Sequence, residues 1–367
     1  MKAKVQRLRT FLIVLACSLF GAVGIASAHE AYVLPYDTFW EGMKQPWSGH
    51  AFDALKNPHN VHITIKIALS VIVLLVLNFF FRKSRLGARW SAFLERYAHL
   101  GPHFVRITIA IAFFFSAVSY SFLGPELHES LFPHAILIRI ALFAISVMIA
   151  IGFLTELAAL VGMVIFLYSF GIFGPYIFTY LNYLGELIVL FLFGMRVFSV
   201  DRYLFGRLRR FPLFEKYETV IVRILYGLAL SYAAITVKLL HPELTVLVVN
   251  TWHLTQFHWL FPSDPLLVTF GAGVVELIIG LFILVGFEMR LTIFISLFYI
   301  TLSLLYFREL VWPHLLLYGI SFNLIVQPQV FTLDHLLLKK HRVAKSWWKR
   351  PFMAHNTRGK SSGSRTQ

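Results

Sequence analysis

Apolar residues fill long blocks of this chain, and the polar residues collect between the blocks. Several blocks exceed the ~18 residues that a membrane-crossing helix needs. The pattern predicts helices over 62–81, 104–123, 135–154, 157–174, 180–198, 218–239, 266–286, 291–307 and 311–329. Lysine and arginine then set the orientation, because cytoplasmic loops carry an excess of both. Arg82, Lys83, Arg85, Arg89 and Arg96 gather in one linker, and Arg202, Arg207, Arg209, Arg210 and Lys216 in another. The alternate loops, 124–133 and 240–265, hold Glu126, Glu129, Glu243 and Asp264 but no lysine or arginine. Nine spans satisfy every loop, with the mature N-terminus in the periplasm of a bacterial inner membrane and the C-terminus in the cytoplasm.

Composition fits that class. The chain is 58% hydrophobic and 16% aromatic, with only 14% charged residues, which soluble domains rarely show. The expected partner is therefore a lipid bilayer. A net charge of +15 raises the question of nucleic acid, but the basic residues sit beside apolar spans, so topology accounts for them. Lys339-Lys340-His341-Arg342 and Trp347-Trp348-Lys349-Arg350 read as an interfacial anchor on an anionic leaflet.

Ahead of the spans, Lys2, Lys4, Arg7 and Arg9 precede an apolar stretch, Phe11 to Ile25, and then Ala26-Ser27-Ala28. This is the pattern of a signal peptide over 1–28, with an uncleaved anchor helix as the alternative. Cys17 is the only cysteine, and too little apolar sequence precedes it for a lipoprotein signal. Cleavage after Ala28 leaves no thiol, which excludes disulfides, CxxC redox chemistry and thiolate metal clusters.

The chain also repeats itself. Val105-Arg106-Ile107 matches Val222-Arg223-Ile224, and each is followed at the same distance by Pro-Glu-Leu, at 125–127 and 242–244. Gly152-Phe153 matches Gly286-Phe287, and Phe198-Ser199-Val200-Asp201-Arg202 matches Phe331-Thr332-Leu333-Asp334-His335. Matches in order at consistent spacing imply two tandem units in one orientation, related by an axis along the membrane normal. The chain then divides into a lead, first helix and linker (29–94), unit 1 (95–210), unit 2 (211–340) and a basic tail (341–367).

Arg223, Gly227, Lys238-Leu239 and Pro242 resemble the first helix of DoxX/DoxD-type membrane proteins. Glu276, Gly280, Gly286 and Arg290 are similar to that family's second helix, with its E-x3-G…G-x3-R run, and Gly185-Glu186 with Ser199-Val200-Asp201-Arg202 to its last. The resemblance covers nearly everything from 95 to 340 and implies an all-α protein made of two parallel-related four-helix units. It implies an integral subunit associated with redox enzymes, such as the membrane subunit of thiosulfate:quinone oxidoreductase. Departures are reciprocal: Leu142 stands where Glu276 would be in unit 1, Glu156 where Arg290 would be, and Tyr318-Gly319 replaces Gly185-Glu186 in unit 2. Each half keeps what the other lost, as if one composite site survived in a fused dimer.

The candidate chemistry lies in charges inside the spans. Glu276 sits mid-segment among apolar residues, where a charge costs at least ~2.5–3.5 kcal/mol on insertion scales. Glu186, Arg139 and Lys238 lie at related depths, so the four form a candidate polar cluster. One reading is a cavity for a quinone headgroup, a proton or a small anion. The other is a structural ion-pair network joining the units. Arg106 and Arg223, near the opposite ends of their helices, are expected to snorkel to the interface.

Histidines are the second signal. Ten of the fifteen fall in or beside the expected periplasmic segments, and imidazole suits copper, zinc and haem iron. Candidate ligands are His29, which would be the mature N-terminus, His59 and His62 at i,i+3, and His253 and His258. Interfacial hydrogen bonding beside the tryptophans is the competing account, since no spacing matches a closed metal motif. Phosphate-binding glycine loops, dinucleotide fingerprints, HExxH and nucleophile elbows are absent. Three functions stay open: a membrane subunit of a quinone- or sulfur-linked oxidoreductase system with other subunits as partners, a protein for periplasmic copper handling or small-solute transport, and a scaffold without chemistry. Whether the chain is an enzyme is undecided; quinone, copper and haem are the cofactors to consider.

Overall fold

The computed structural model describes residues 30–194, 199–205, 217–257, 261–328 and 331–335. The expected signal peptide and basic tail, with Cys17, His29 and His258, lie outside the described residues. The described chain is helical, with one isolated antiparallel bridge between Ser121 and His128.

Two short helices, α1 (Glu30–Val33) and α2 (Tyr36–Met43), lead into α3 (Pro58–Lys83) and α4 (Arg85–Glu95). The first half follows as α5 (Gly101–Val118), α6 (Ala135–Ile151), α7 (Thr155–Phe173), α8 (Leu181–Phe193) and the short α9 (Val200–Phe205). The second half comprises α10 (Glu218–Ala233), α11 (Pro242–Thr251), α12 (Pro265–Val285), α13 (Met289–Tyr306) and α14 (Leu315–Val326). Among the described residues, six helical stretches are long and apolar enough to cross a membrane: Pro58–Lys83, Arg85–Val118, Thr155–Phe193, Glu218–Leu239, Pro265–Val285 and Met289–Tyr306. Ala135–Ile151 and Trp312–Val326 are apolar but shorter. The chain is a helical membrane protein.

The main helices close into a ring. Each of α5, α6, α7, α8, α10, α12, α13 and α14 packs on the next, and α14 returns to pack on α5. The halves are therefore not two separate four-helix bundles: α5 packs chiefly on α6 and on α14 of the other half, and α10 on α12 and on α8 of the other half. Small side chains permit this. A Cβ on Gly319 of α14 would meet the Thr108 hydroxyl of α5 at 2.0 Å, and one on Gly101 would meet the Asn323 amide oxygen at 2.2 Å. Lipid is as apolar as leucine, so close packing rather than hydrophobic transfer holds such seams.

One turn occurs twice. Gly152 and Gly286, ending α6 and α12, are left-handed at φ 71° and 72°, and two residues later Leu154 and Glu288 are left-handed at 46° and 45°. Asp201 N–H donates to the Gly152 carbonyl at 2.9 Å, and Asp334 N–H to the Gly286 carbonyl at 3.3 Å. Side chains there would collide, with Ser199 at Gly152 and with Arg223 and Thr332 at Gly286. Glycine is needed for both conformation and clearance. Arg106 and Arg223 reach the same two turns and are 4% and 6% exposed. They do not snorkel to the interface as expected but are buried; Arg223 donates to the Phe331 carbonyl at 2.8 Å, because the turn brings carbonyl oxygens within reach.

Helix α3 stands apart. Its apolar side chains from Ile65 to Phe81 are largely exposed, and polar contacts fasten only its ends. Asn60 donates to Ala54 and Asp264 at 2.9 and 2.6 Å, while Arg82 pairs with Glu288 and Asp334 at 2.8 and 2.9 Å.

Candidate functional site

The helix α10 does not end cleanly. Its last turn, Ala234–Leu239, widens into a π-helix, and Lys238 sits in it. A π-turn shifts the side chains that follow it and is common at functional sites. Beside it α12 approaches closely: a Cβ on Gly227 would lie 2.7 Å from the Gly280 carbonyl, and one on Gly280 would lie 2.5 Å from the Ser231 hydroxyl. This contact sets Glu276, one turn along α12, opposite Lys238.

Lys238 Nζ lies 3.2 Å from Glu276 and 2.8 Å from Glu30 of α1. The other Glu30 oxygen accepts from the Thr245 hydroxyl of α11 at 2.9 Å. The side chains of Lys238, Glu30 and Glu276 are only 10%, 6% and 14% exposed. Fully ionised, the trio carries two negative charges against one positive. In a low-dielectric setting that imbalance favours a nearby proton or a hydrogen-bond donor.

The trio forms part of the wall of a cavity of about 410 Å³, within the size range of small-molecule sites. Most of the wall is apolar or aromatic, with Tyr226, Tyr299, Ile279 and Val268 among its residues. Phe298, which also lines it, is 66% exposed on the outer face of α13. The cavity thus reaches from a charged end to the lipid-facing surface.

The predicted cluster is brought together in part. Glu276 and Lys238 meet. Glu186 is buried on α8, 3% exposed, but does not line the cavity. Arg139 is elsewhere: it pairs in bidentate fashion with Glu129, its Nε at 2.9 Å, and lies 4.1 Å over the Tyr120 ring. An acidic partner in the adjoining loop holds it there, at the rim of α6. Of the candidate metal ligands, His59 and His62 are exposed on the first turn of α3, and His253 is exposed after α11. Among the described residues, no group of three histidine, cysteine, aspartate or glutamate side chains is placed to hold a metal ion. His29 and His258 lie outside the described residues.

Sequence reasoning missed Glu30, Thr245 and a second polar group, a carboxyl that does not itself line the cavity but is bonded to tyrosines that do. Glu126 is 2% exposed and accepts from Tyr176 and Tyr180 at 3.0 and 2.5 Å. Tyr176, Tyr180 and Tyr183 recur at i, i+4 and i+7, so one face of the turn into α8 carries three phenols. That spacing was the available signal. Glu30 offered none, being 208 residues from Lys238 in sequence.

No family model, curated protein or solved structure matches the chain.

Proposed function

We propose that the chain is a membrane subunit of a quinone-linked oxidoreductase system, and that the cavity holds a quinone or quinol headgroup. The observation that carries this reading is the charged trio on the wall of an otherwise apolar, aromatic cavity whose lining reaches the lipid-facing Phe298. A quinol has the chemistry of that space. Its ring is apolar, its hydroxyls donate to carboxylates, and its tail remains in lipid. Phe298 and Leu302 would flank the tail, and Lys238 with Glu276 would face the ring oxygens. A small anion suits the trio poorly, because two carboxylates outweigh one ammonium.

On this reading the protein belongs with DoxX-like proteins, the chain crosses a bacterial inner membrane nine times, and the trio faces the periplasmic side. The test is labelling of the purified protein with a photoreactive benzoquinone in detergent. Labelled peptides should map to α12 and α13, and Glu276→Gln should reduce labelling about tenfold while leaving expression largely intact. Equal labelling of Glu276→Gln, or labels scattered over the exposed α3, would remove the cavity from consideration.

A further inference from the structure

The tyrosine-carboxyl group beside the cavity has no part in the reading above. Glu126 lies in the segment between α5 and α6, outside the spans. Tyr180 donates its one hydroxyl proton to Glu126 Oε1, so at the 2.8 Å contact between Tyr180 and Tyr32 it is Tyr32 that donates. The hydrogen bonds therefore run in one direction, from Tyr32 through Tyr180 to Glu126. Tyr32, Tyr176 and Tyr180 all line the cavity that contains Lys238 and Glu276. The second carboxyl oxygen, Oε2, is buried with no hydrogen-bond partner among the described residues.

We propose that Glu126 is a proton-exchange carboxyl serving the cavity, reached through Tyr32 and Tyr180. A hydroxylic headgroup seated against Tyr32 gives its proton to the Tyr32 oxygen as Tyr32 passes its own to Tyr180 and Tyr180 passes its own to Glu126. One O–H bond breaks on the ligand and one forms on Glu126; no electrons change hands. The ligand oxygen is left negative in the same cavity as the Lys238 ammonium.

The surroundings of Glu126 suit the role. Burial pushes its carboxyl up to about 7, against the opposing pull of the Tyr180 and Tyr176 hydroxyls, so both protonation states are populated near neutral pH. Tyr183 of α8 also faces it, as does His314 ahead of α14, whose positive form would lower it. His314 is itself engaged: its Nε2 lies 2.7 Å from Glu309, and its ring meets Tyr32 edge-on at 5.7 Å. Trp40 of α2 donates to the Glu126 backbone carbonyl at 3.3 Å. Glu30, at the trio, and Glu309 are the other carboxylates bearing on the tyrosines.

This rests on the proposed quinol site, and infrared titration of the full-length protein separates the two. A protonated-carboxyl band should titrate with a midpoint of about 7 and vanish in Glu126→Gln. Tyr180→Phe, which removes a donor to the charged form, should move the midpoint upward. Adding a decyl-substituted benzoquinol at neutral pH should increase the protonated fraction in the native protein and not in Tyr32→Phe, with probe binding measured in parallel. A band that ignores the bound probe, or responds equally in Tyr32→Phe, overturns the relay and leaves the quinol site standing. Failure of the probe to bind overturns the quinol site and the relay together. A carboxyl fixed in one state across the neutral range overturns the exchange whatever the probe does.

Discussion

A lysine held between two carboxylates responds asymmetrically to loss of its members. Glu276→Gln removes the surplus charge and leaves Lys238 paired with Glu30, so stability should fall by no more than about 1 kcal/mol. Lys238→Met removes the cation that the two buried carboxylates share. Breaking a buried pair in this way costs ~3–5 kcal/mol, so this variant should unfold well before Glu276→Gln in a thermal scan in detergent. Equal loss in the two would show that Lys238 is not the hub. Glu126 gives a pH signature with a definite sign. Its carboxyl is raised from the usual 4.5 to about 7, so the folded state binds the proton more tightly than the unfolded state. Its contribution is complete below about 4.5 and is lost as pH rises through about 7, so stability falls across that window. Glu126→Gln should flatten that slope.

Between residues and molecule stand the helices and their turns, and there the limits of sequence reading become physical. Hydropathy reports how deep a residue sits, and it placed apolar segments at the sites of α3, α5 to α8, α10 and α12 to α14. It does not report which way a helix is rotated. Arg139 and Lys238 looked alike in depth, yet one faces Glu129 at the rim and the other faces the cavity. Glu126 read as a loop carboxylate because charge in a loop implies water; tyrosines of the distant turn into α8 cover it instead. The glycines before the matching turns were visible as a repeat, and the left-handed pair in each is the conformation they serve. Gly286→Val would force a β-branched side chain into that conformation and against Arg223 and Thr332. Melting should drop by the equivalent of several kcal/mol, combining backbone strain with overpacking, while Gly271→Ala on the same helix, which meets nothing within 4 Å, should be neutral. Comparable losses in both would mean that α12 tolerates no added volume anywhere and that the turn is not special.

The ring changes what the tandem units mean for the whole protein. If each half were a closed bundle, the chain could be cut between them and either piece would stand alone. Instead α5 leans on α14 and α8 on α10, so each half presents the other with the helix faces it lacks. The cavity follows the same logic. Tyr176 and Tyr180 come from the first half, Lys238, Glu276 and His314 from the second, and Glu30 and Tyr32 from the lead that precedes both. A chain severed in the basic linker between α9 and α10 should therefore yield two fragments that are each degraded when expressed singly. Co-expressed, they should accumulate and co-purify through a tag on either one, because the seams are built from side-chain packing that needs no covalent link. The co-purified pair should also keep the benzoquinone labelling of the uncut protein, since these cavity residues all lie on the two fragments away from the cut. Stable accumulation of either fragment alone would show that the halves are self-sufficient, and the seams from α5 to α14 and from α8 to α10 would then be secondary contacts.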